Sequence, residues 1–167
     1  MSKVYFLFVA VIFFSGVKAQ KLEKDIASGG TNTRTISTDN VPFGGFGNAI
    51  SASAAINSRD TVTSLTIYYK PQFSTSIDKE SKLNLWLDNG DVLTIPNDSD
   101  KKDFSSGQEG FLICLLEKGV KERLKNQKVV KYKIETSRTD IDYTIKTKDQ
   151  YIFADVINML ETTLRKP

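Results

Sequence analysis

The sequence predicts an α+β fold with two helices and a mainly antiparallel sheet of about six to eight strands. Two observations lead to this prediction. Apolar and polar residues alternate in several segments separated by turn-forming residues, which is typical of strands with one buried face. Two other segments have apolar residues at helical spacing. We expect the C-terminal helix to lie on the apolar face of the sheet.

The first 19 residues are expected to be a secretory signal peptide and not part of the fold. Lys3 precedes an unbroken apolar run at residues 5–14, and small residues follow. This order predicts cleavage between Ala19 and Gln20. A spanning helix needs about 20 apolar residues, whereas the stretch between Lys3 and the next lysine has 14 residues. We therefore expect an exported protein, periplasmic or extracellular, with no transmembrane segment after signal removal.

Composition limits the remaining chain to a single domain of ordinary surface charge. The whole sequence has 23 Lys and Arg against 20 Asp and Glu, and removal of residues 1–19 takes away two lysines and no acid. A net charge near +1 does not indicate a nucleic-acid-binding surface. The sequence has no histidine, which excludes catalytic sites that depend on one, and Cys114 has no partner for an internal disulfide.

The predicted organisation is a polar segment at residues 20–40, followed by one α+β domain at residues 41–167. The polar segment is rich in Gly, Thr, Ser and Asn and is expected to form a loose arm that tightens into a short strand near residues 33–38. Residues 50–56 alternate as a strand, and a turn at residues 57–60 leads into a second strand that ends before Pro71.

A hairpin is predicted around Asp88, Asn89 and Gly90, within the segment KLNLWLDNGDVLTI. A three-residue loop with glycine in the left-handed conformation would place Leu85 opposite Leu93. A short strand at residues 111–116 and a helix carrying apolar residues 116, 120 and 124 are expected to follow.

The C-terminal third is predicted to be a second hairpin and a helix. A four-residue loop at residues 137–140 would oppose Ile134 to Tyr143, with one apolar and one charged face. Thr147 and Gln150 have the spacing of a capping box. The helix beyond them is expected to bury one face: Phe153, Val156, Ile157, Leu160 and Leu164.

The layout resembles that of small exported proteins of unknown function from Bacteroidota. The resemblance is carried by ASGGTNTRTISTD after the signal peptide, by SKLNLWLDNGDVLTI, and by FLICLLEKGVKERLKNQKVVKYKIET with its closing hairpin and helix. It implies an envelope or exported location, and it implies no activity.

The segment VPFGGFGNAI, residues 41–50, is the most motif-like feature of the chain. It lacks the lysine of a phosphate-binding P-loop, and Ile50 stands where a dinucleotide loop has its third glycine. A strand pattern follows where such loops lead into a helix. The segment therefore predicts a bend pinned by Phe43 and Phe46, and the alternative is an exposed aromatic loop that contacts a partner.

Three other patterns are expected to be coincidental. Ser76 with Lys79 and Ser99 with Lys102 match Ser-x-x-Lys, but the companion motifs of penicillin-recognising enzymes are absent. The acidic run at residues 98–103 lacks the glycine of a calcium loop. Cys114 stands in an apolar strand and is expected to be a core residue. No metal site and no cofactor are predicted.

Five cations form the strongest charge cluster and would make one basic edge along the first helix: Lys118, Lys121, Arg123, Lys125 and Lys128. This edge could contact an anionic glycan or a membrane surface, or could simply be a solvated helix flank.

Three functions follow as hypotheses. The first is a non-catalytic binding or interaction module of the cell envelope, whose partner would be an envelope protein or an anionic glycan. The second is a small hydrolase or lyase that uses carboxylates such as Asp88 and Asp91. The third is a structural or assembly factor.

Overall fold

Alternating sequence patterns become strands in the computed structural model, which describes residues 22–27, 34–43, 48–56 and 61–164, the first of these ranges as backbone only. The described strands are β1 (Leu22–Ala27), β2 (Arg34–Thr38), β3 (Val41–Pro42), β4 (Ala49–Ile56), β5 (Thr61–Tyr69), β6 (Thr75–Ile77), β7 (Lys82–Leu87), β8 (Val92–Pro96), β9 (Lys102–Phe104), β10 (Gly110–Leu116), β11 (Val129–Ile134) and β12 (Ile141–Thr144). The helices are α1 (Lys118–Asn126) and α2 (Ile152–Leu164).

The strands form one large sheet, one smaller sheet and a short ribbon. The large sheet has the order β1-β2-β4-β5-β10, with β3 also paired to β4, the smaller sheet has the order β12-β11-β7-β8, and β6 pairs with β9. Every pairing among the described strands is antiparallel, which confirms the predicted fold class. The sheets meet where the Asp98 amide donates to the Ile113 carbonyl at 2.8 Å.

Twelve described strands exceed the six to eight expected. The excess comes partly from β3, with two residues, and from β6 and β9, with three each. Such segments are too short to show a recognisable alternation of apolar and polar residues. The polar segment at residues 20–40 supplies β1 and β2, which pair with each other and extend the large sheet.

The hairpin of β7 and β8 has the predicted register. Leu85 lies opposite Leu93, and Leu83 lies opposite Ile95. Gly90 has a φ of 90°, and its amide donates to the Leu87 carbonyl at 3.1 Å. A three-residue loop with a left-handed glycine therefore closes this hairpin, as expected.

The predicted register of β11 and β12 is wrong by two residues. Ile134 lies opposite Ile141 instead of Tyr143, and the connection spans residues 135–140. A shift of two keeps the apolar side chains on the same face, so the hydrophobic pattern does not distinguish the two registers. The longer connection is held by side-chain hydrogen bonds described below.

The capping box predicted at Thr147 and Gln150 is also wrong. Residues 147–149 form a 3₁₀ turn, and no side chain caps the turn at Lys146. The carbonyl of Gln150 instead accepts from the Val129 amide at 3.0 Å, and its side chain donates to the Ile145 carbonyl at 3.4 Å. Gln150 is thereby tied to β11 and β12, and α2 starts only at Ile152.

Helix α2 closes the core, as the sequence predicts. Phe153, Val156, Ile157 and Leu160 are buried, and Leu164 packs at the margin of the core. The helix contacts β2, β4 and α1. No helix in the described ranges is both long enough and apolar enough to cross a membrane.

Candidate functional site

A cavity of about 490 Å³ lies between the end of β5 and the start of β12. Residues 70–73 line one side, residues 139–143 line the other, and Asn48 also contributes. This is a volume within the range of sites that bind small ligands or short peptide segments.

A smaller cavity of about 270 Å³ adjoins the first. Residues 74–76, which include the start of β6, line one part of it, and residues 103–105, which include the end of β9, line another. Arg138, from the connection between β11 and β12, completes the lining. Thr75 lines both cavities, so we call the two together the groove.

Hydroxyl groups hold β6 against the connection between β11 and β12. The Thr75 hydroxyl donates to that of Thr136 at 2.6 Å, and the hydroxyls of Ser76 and Ser137 are 2.5 Å apart. The Ser137 amide also donates to the Ser76 carbonyl at 3.1 Å. These bonds join residues 61 positions apart in sequence, and they fix two walls of the groove relative to each other.

Aromatic rings form a continuous stack that leads from the core to the larger cavity. The Phe43 ring centroid lies 5.9 Å from that of Phe153 and 5.5 Å from that of Tyr132. Tyr132 lies in turn 5.7 Å from Tyr143, which lines the cavity. Phe43 is only 3% exposed, so its ring belongs to the core and not to an exposed aromatic loop. Phe46 lies outside the described residues.

Strand β12 brings an unpaired edge to the larger cavity. It is the terminal strand of the smaller sheet, and the described residues provide no strand on its outer side. Ile141 and Tyr143 lie on one face of this strand and Asp142 on the other, and all three line the cavity. The cavity therefore wraps around the strand edge.

The backbone of this edge has groups available for pairing. The Ile145 amide donates to the Val130 carbonyl at 2.9 Å, so residues 141, 143 and 145 direct their amides and carbonyls toward β11. By the alternation of antiparallel pairs, Asp142 and Thr144 direct theirs away from β11. An extended peptide placed here could form main-chain hydrogen bonds with both residues.

The carboxylates along β12 are neutralised by lysines of β11. Lys133 contacts Asp140 at 2.6 Å, and Lys131 contacts Asp142 at 2.9 Å. The hydrogen bond from Lys133 lowers the pKa of Asp140, and the same bond raises the pKa of Lys133. The wall formed by β12 therefore does not present two free negative charges to a ligand.

Phe73 forms an exposed apolar rim. Its side chain is 67% exposed, the largest value among the described large hydrophobic residues, and it lines the larger cavity. Burial of such a ring against a ligand would be favourable because it removes apolar surface from water.

The five cations of the predicted basic edge lie on α1 and directly after it, and none lines the groove. Lys121 and Lys125 contact Glu161 at 3.3 and 2.8 Å, and Arg123 contacts Asp91. Lys128 lies over the ring of Tyr151, 5.4 Å from its centroid, and Lys118 is exposed. Much of this edge therefore has partners within the chain, and its contact with an anion stays a prediction.

The structure does not bring the candidate catalytic carboxylates to a cavity. Asp88 and Asp91 lie at the exposed tip of the β7–β8 hairpin. The Asp91 carboxylate accepts from Arg123, and from Asn89 at 2.9 Å. One raised carboxyl pKa is found in the described part of the chain, at Asp155, where desolvation raises it, and this residue lines neither part of the groove.

The two Ser-x-x-Lys matches do not form serine–lysine pairs. The Ser99 hydroxyl donates to Asn97 at 2.8 Å, and the Lys102 ammonium lies 4.0 Å from the centroid of the Phe111 ring. Ser76 is bonded to Ser137, and Lys79 is exposed.

The acidic run at residues 98–103 carries its charges outward. Asp98, Asp100 and Asp103 are exposed, and across the described ranges no group of three or more His, Cys, Asp or Glu is placed to hold a metal ion.

Cys114 is fully buried, and burial raises the pKa of its thiol to about 12. A thiol with such a pKa stays protonated at neutral pH and is a poor nucleophile.

Sequence reasoning missed the residues that line the groove, notably Phe73, Arg138 and Asp142. Pro71 marked the end of a strand, and the apolar Phe73 after it was a weak signal of an exposed contact residue. Nothing in the local pattern indicated that residues 70–76 and 136–143 meet.

The chain matches no protein-family model, no curated protein and no solved structure.

Proposed function

We propose that this protein is an exported, non-catalytic binding module whose groove holds an extended peptide segment. The observation that carries the proposal is the edge of β12, which lines the larger cavity with outward-directed backbone groups. A peptide added to a free sheet edge gains main-chain hydrogen bonds, while pockets beside the edge select its side chains.

The surroundings of the edge support a peptide ligand of alternating character. Tyr143 and Ile141 flank the edge on one face, and Phe73 faces the same cavity from the opposite wall. Side chains of an extended peptide alternate between two faces, so every second residue would meet this apolar surface. Four residues of β12 correspond to about 13 Å of strand, enough for two pairs of main-chain bonds.

The test uses purified protein and fluorescein-labelled pools of random peptides about eight residues long, selected for binding and then measured singly by fluorescence polarisation. Asp142→Pro removes an outward amide without removing a ladder bond to β11, and proline is tolerated at strand edges. We expect this variant to fold and to lose peptide binding.

Two matched variants make the test specific. Asp142→Asn removes the ion pair with Lys131 but keeps the amide, so binding should be retained. Phe73→Ala should weaken binding several-fold without loss of stability, because the ring is exposed in the free protein.

Equal binding by wild type and Asp142→Pro would show that the edge is not the binding element. If the protein binds none of the peptide pools but binds dextran sulfate, the ligand is an anionic glycan and not a peptide. In that case Lys118→Gln, at the basic edge, becomes the variant expected to weaken binding.

A further inference from the structure

We infer that the smaller cavity binds the C-terminal carboxylate of the peptide, which would make the protein selective for chain ends. This inference rests on the proposed function. It names the part of the ligand that the second half of the groove recognises.

The smaller cavity has donors without partners. The Arg138 guanidinium contacts no acidic side chain within the described ranges, although its backbone amide donates to the Thr136 hydroxyl at 3.4 Å. Ser74 and Ser105 line the same cavity, and their hydroxyls make no hydrogen bond to described residues. A guanidinium with neighbouring hydroxyls is well suited to a carboxylate, because its planar donors bind both oxygens.

The other two hydroxyls of the cavity are already used within the protein. Thr75 donates to Thr136, and Ser76 is bonded to Ser137. They shape the cavity, whereas Arg138, Ser74 and Ser105 remain for a ligand.

The position of Arg138 sets the direction of the bound peptide. Arg138 comes three residues before β12 begins, and the smaller cavity adjoins the larger one at Thr75. A peptide antiparallel to β12 runs toward this end of the strand, so its C-terminus would arrive beside Arg138. A parallel peptide would instead bring its N-terminal ammonium to the guanidinium, where like charges repel.

Among the described residues that line the smaller cavity, Asp103 is the one whose charge opposes a carboxylate. It lies on β9 and lines the same space, and it is exposed. Removal of its charge should therefore strengthen binding of a C-terminal carboxylate. The same removal would weaken binding of an N-terminal ammonium, so the sign of the effect reports the direction of the peptide.

The experiment compares N-acetylated peptides that differ only at the C-terminus, as free acid or as amide, taken from the pool that binds best. We expect the free acid to bind about tenfold or more tightly than the amide. Arg138→Gln should abolish this preference, and Asp103→Asn should increase it. The control is Lys101→Gln, at an exposed position outside both cavities. It removes one positive charge, as Arg138→Gln does, and should leave the preference for the free acid unchanged.

Each outcome separates the inference from the proposed function. If the free acid and the amide bind equally well, and Asp142→Pro loses binding of both, the groove is a peptide site that does not recognise the carboxylate. If Lys146→Gln removes the preference for the free acid and Arg138→Gln does not, the carboxylate binds at the far end of β12. That result would also overturn the inference. Absence of binding by either peptide form would contradict the proposed function itself.

Discussion

Gly110 begins β10 directly against the ring of Tyr69. A Cβ atom at this position would lie 2.8 Å from Cζ of Tyr69 and 2.9 Å from its hydroxyl oxygen. The tyrosine ring is fully buried and also packs edge-on against Phe104, so it has little room to move. Glycine is required here by the close approach of a ring and not by a turn.

Gly110→Ala is expected to destabilise the protein by about 1–3 kcal/mol, since the added methyl overpacks a filled core. Gly119→Ala is the matched control, because that glycine lies in α1, where an added Cβ atom would have open space within 4 Å. The control should stabilise the protein by about 1 kcal/mol. Urea unfolding at neutral pH measures both, and equal stability of Gly110→Ala and wild type would contradict the steric argument.

Asn97 shows how one side chain can order a segment that reads as a plain polar loop. Its amide nitrogen donates to the carbonyls of Asp78 and Ser99 at 2.7 and 3.1 Å, and its oxygen accepts from the Ile113 amide at 3.3 Å. The role of Asn97 was not predictable, because two of its three partners are distant in sequence.

At the level of elements, the two helices are joined by ion pairs as well as by apolar contact. Glu161 of α2 accepts from Lys125 and contacts Lys121, both on α1. The hydrogen bond from Lys125 lowers the pKa of Glu161, and the hydrogen bond to Glu161 raises the pKa of Lys125. A stretch of sequence that looked like a free basic edge thus contributes to helix packing.

Glu161→Gln is expected to lower stability at neutral pH by about 0.5–1 kcal/mol, the size of a partly exposed ion pair. Because the pKa of Glu161 is lower in the folded state, its contribution is fully present above the unfolded value of 4.5. It is lost as the pH falls through the folded value. Wild type and variant should therefore converge in acid.

Urea unfolding between pH 7 and pH 3 measures this convergence, with Glu122→Gln as the control. Glu122 is more exposed and contacts Lys125 at 3.5 Å, so its replacement should cost less. A stability difference for Glu161→Gln that stays constant with pH would show that the pair does not stabilise the fold.

The hairpin of β11 and β12 marks the limit of sequence reasoning at this scale. Both strands and their buried faces were predicted, because alternation reports which face is apolar. The register of the two strands was not predicted. The Thr136 hydroxyl accepts hydrogen bonds from the amides of Arg138 and Thr139, which holds a longer connection in place. This local hydrogen bonding stabilises a six-residue connection in place of the four-residue loop that the sequence predicted.

At the scale of the whole molecule, the two sheets enclose one core. Buried residues of β4, β5 and β10 face the same interior as those of β7, β8 and β11, and α2 packs within it. The groove lies at the margin of this core, where the Phe43–Tyr132–Tyr143 stack reaches the surface. Its shape therefore depends on the complete fold and not on any one element.

We expect export with removal of residues 1–19. The apolar run at residues 5–14 is of signal-peptide length, and small residues precede the cleavage position. Expression of the full chain should place the protein outside the cytoplasm with Gln20 as its first residue. Cell fractionation and N-terminal sequencing measure this, and Ala19→Pro is expected to block processing. A cytoplasmic protein that retains Met1 would contradict the prediction.

The positions of most strands and helices, and the turn of the β7–β8 hairpin, can be read from the order of the amino acids alone. These depend on periodicity and on turn residues such as Gly90, which act within a few positions. The burial of Phe43, and the outer side of β12 that no described strand pairs with, depend instead on how distant segments pack together. Only the tertiary structure brings β6 to the β11–β12 connection, since the hydroxyl pairs that join them bridge 61 positions, and no local pattern encodes such a contact.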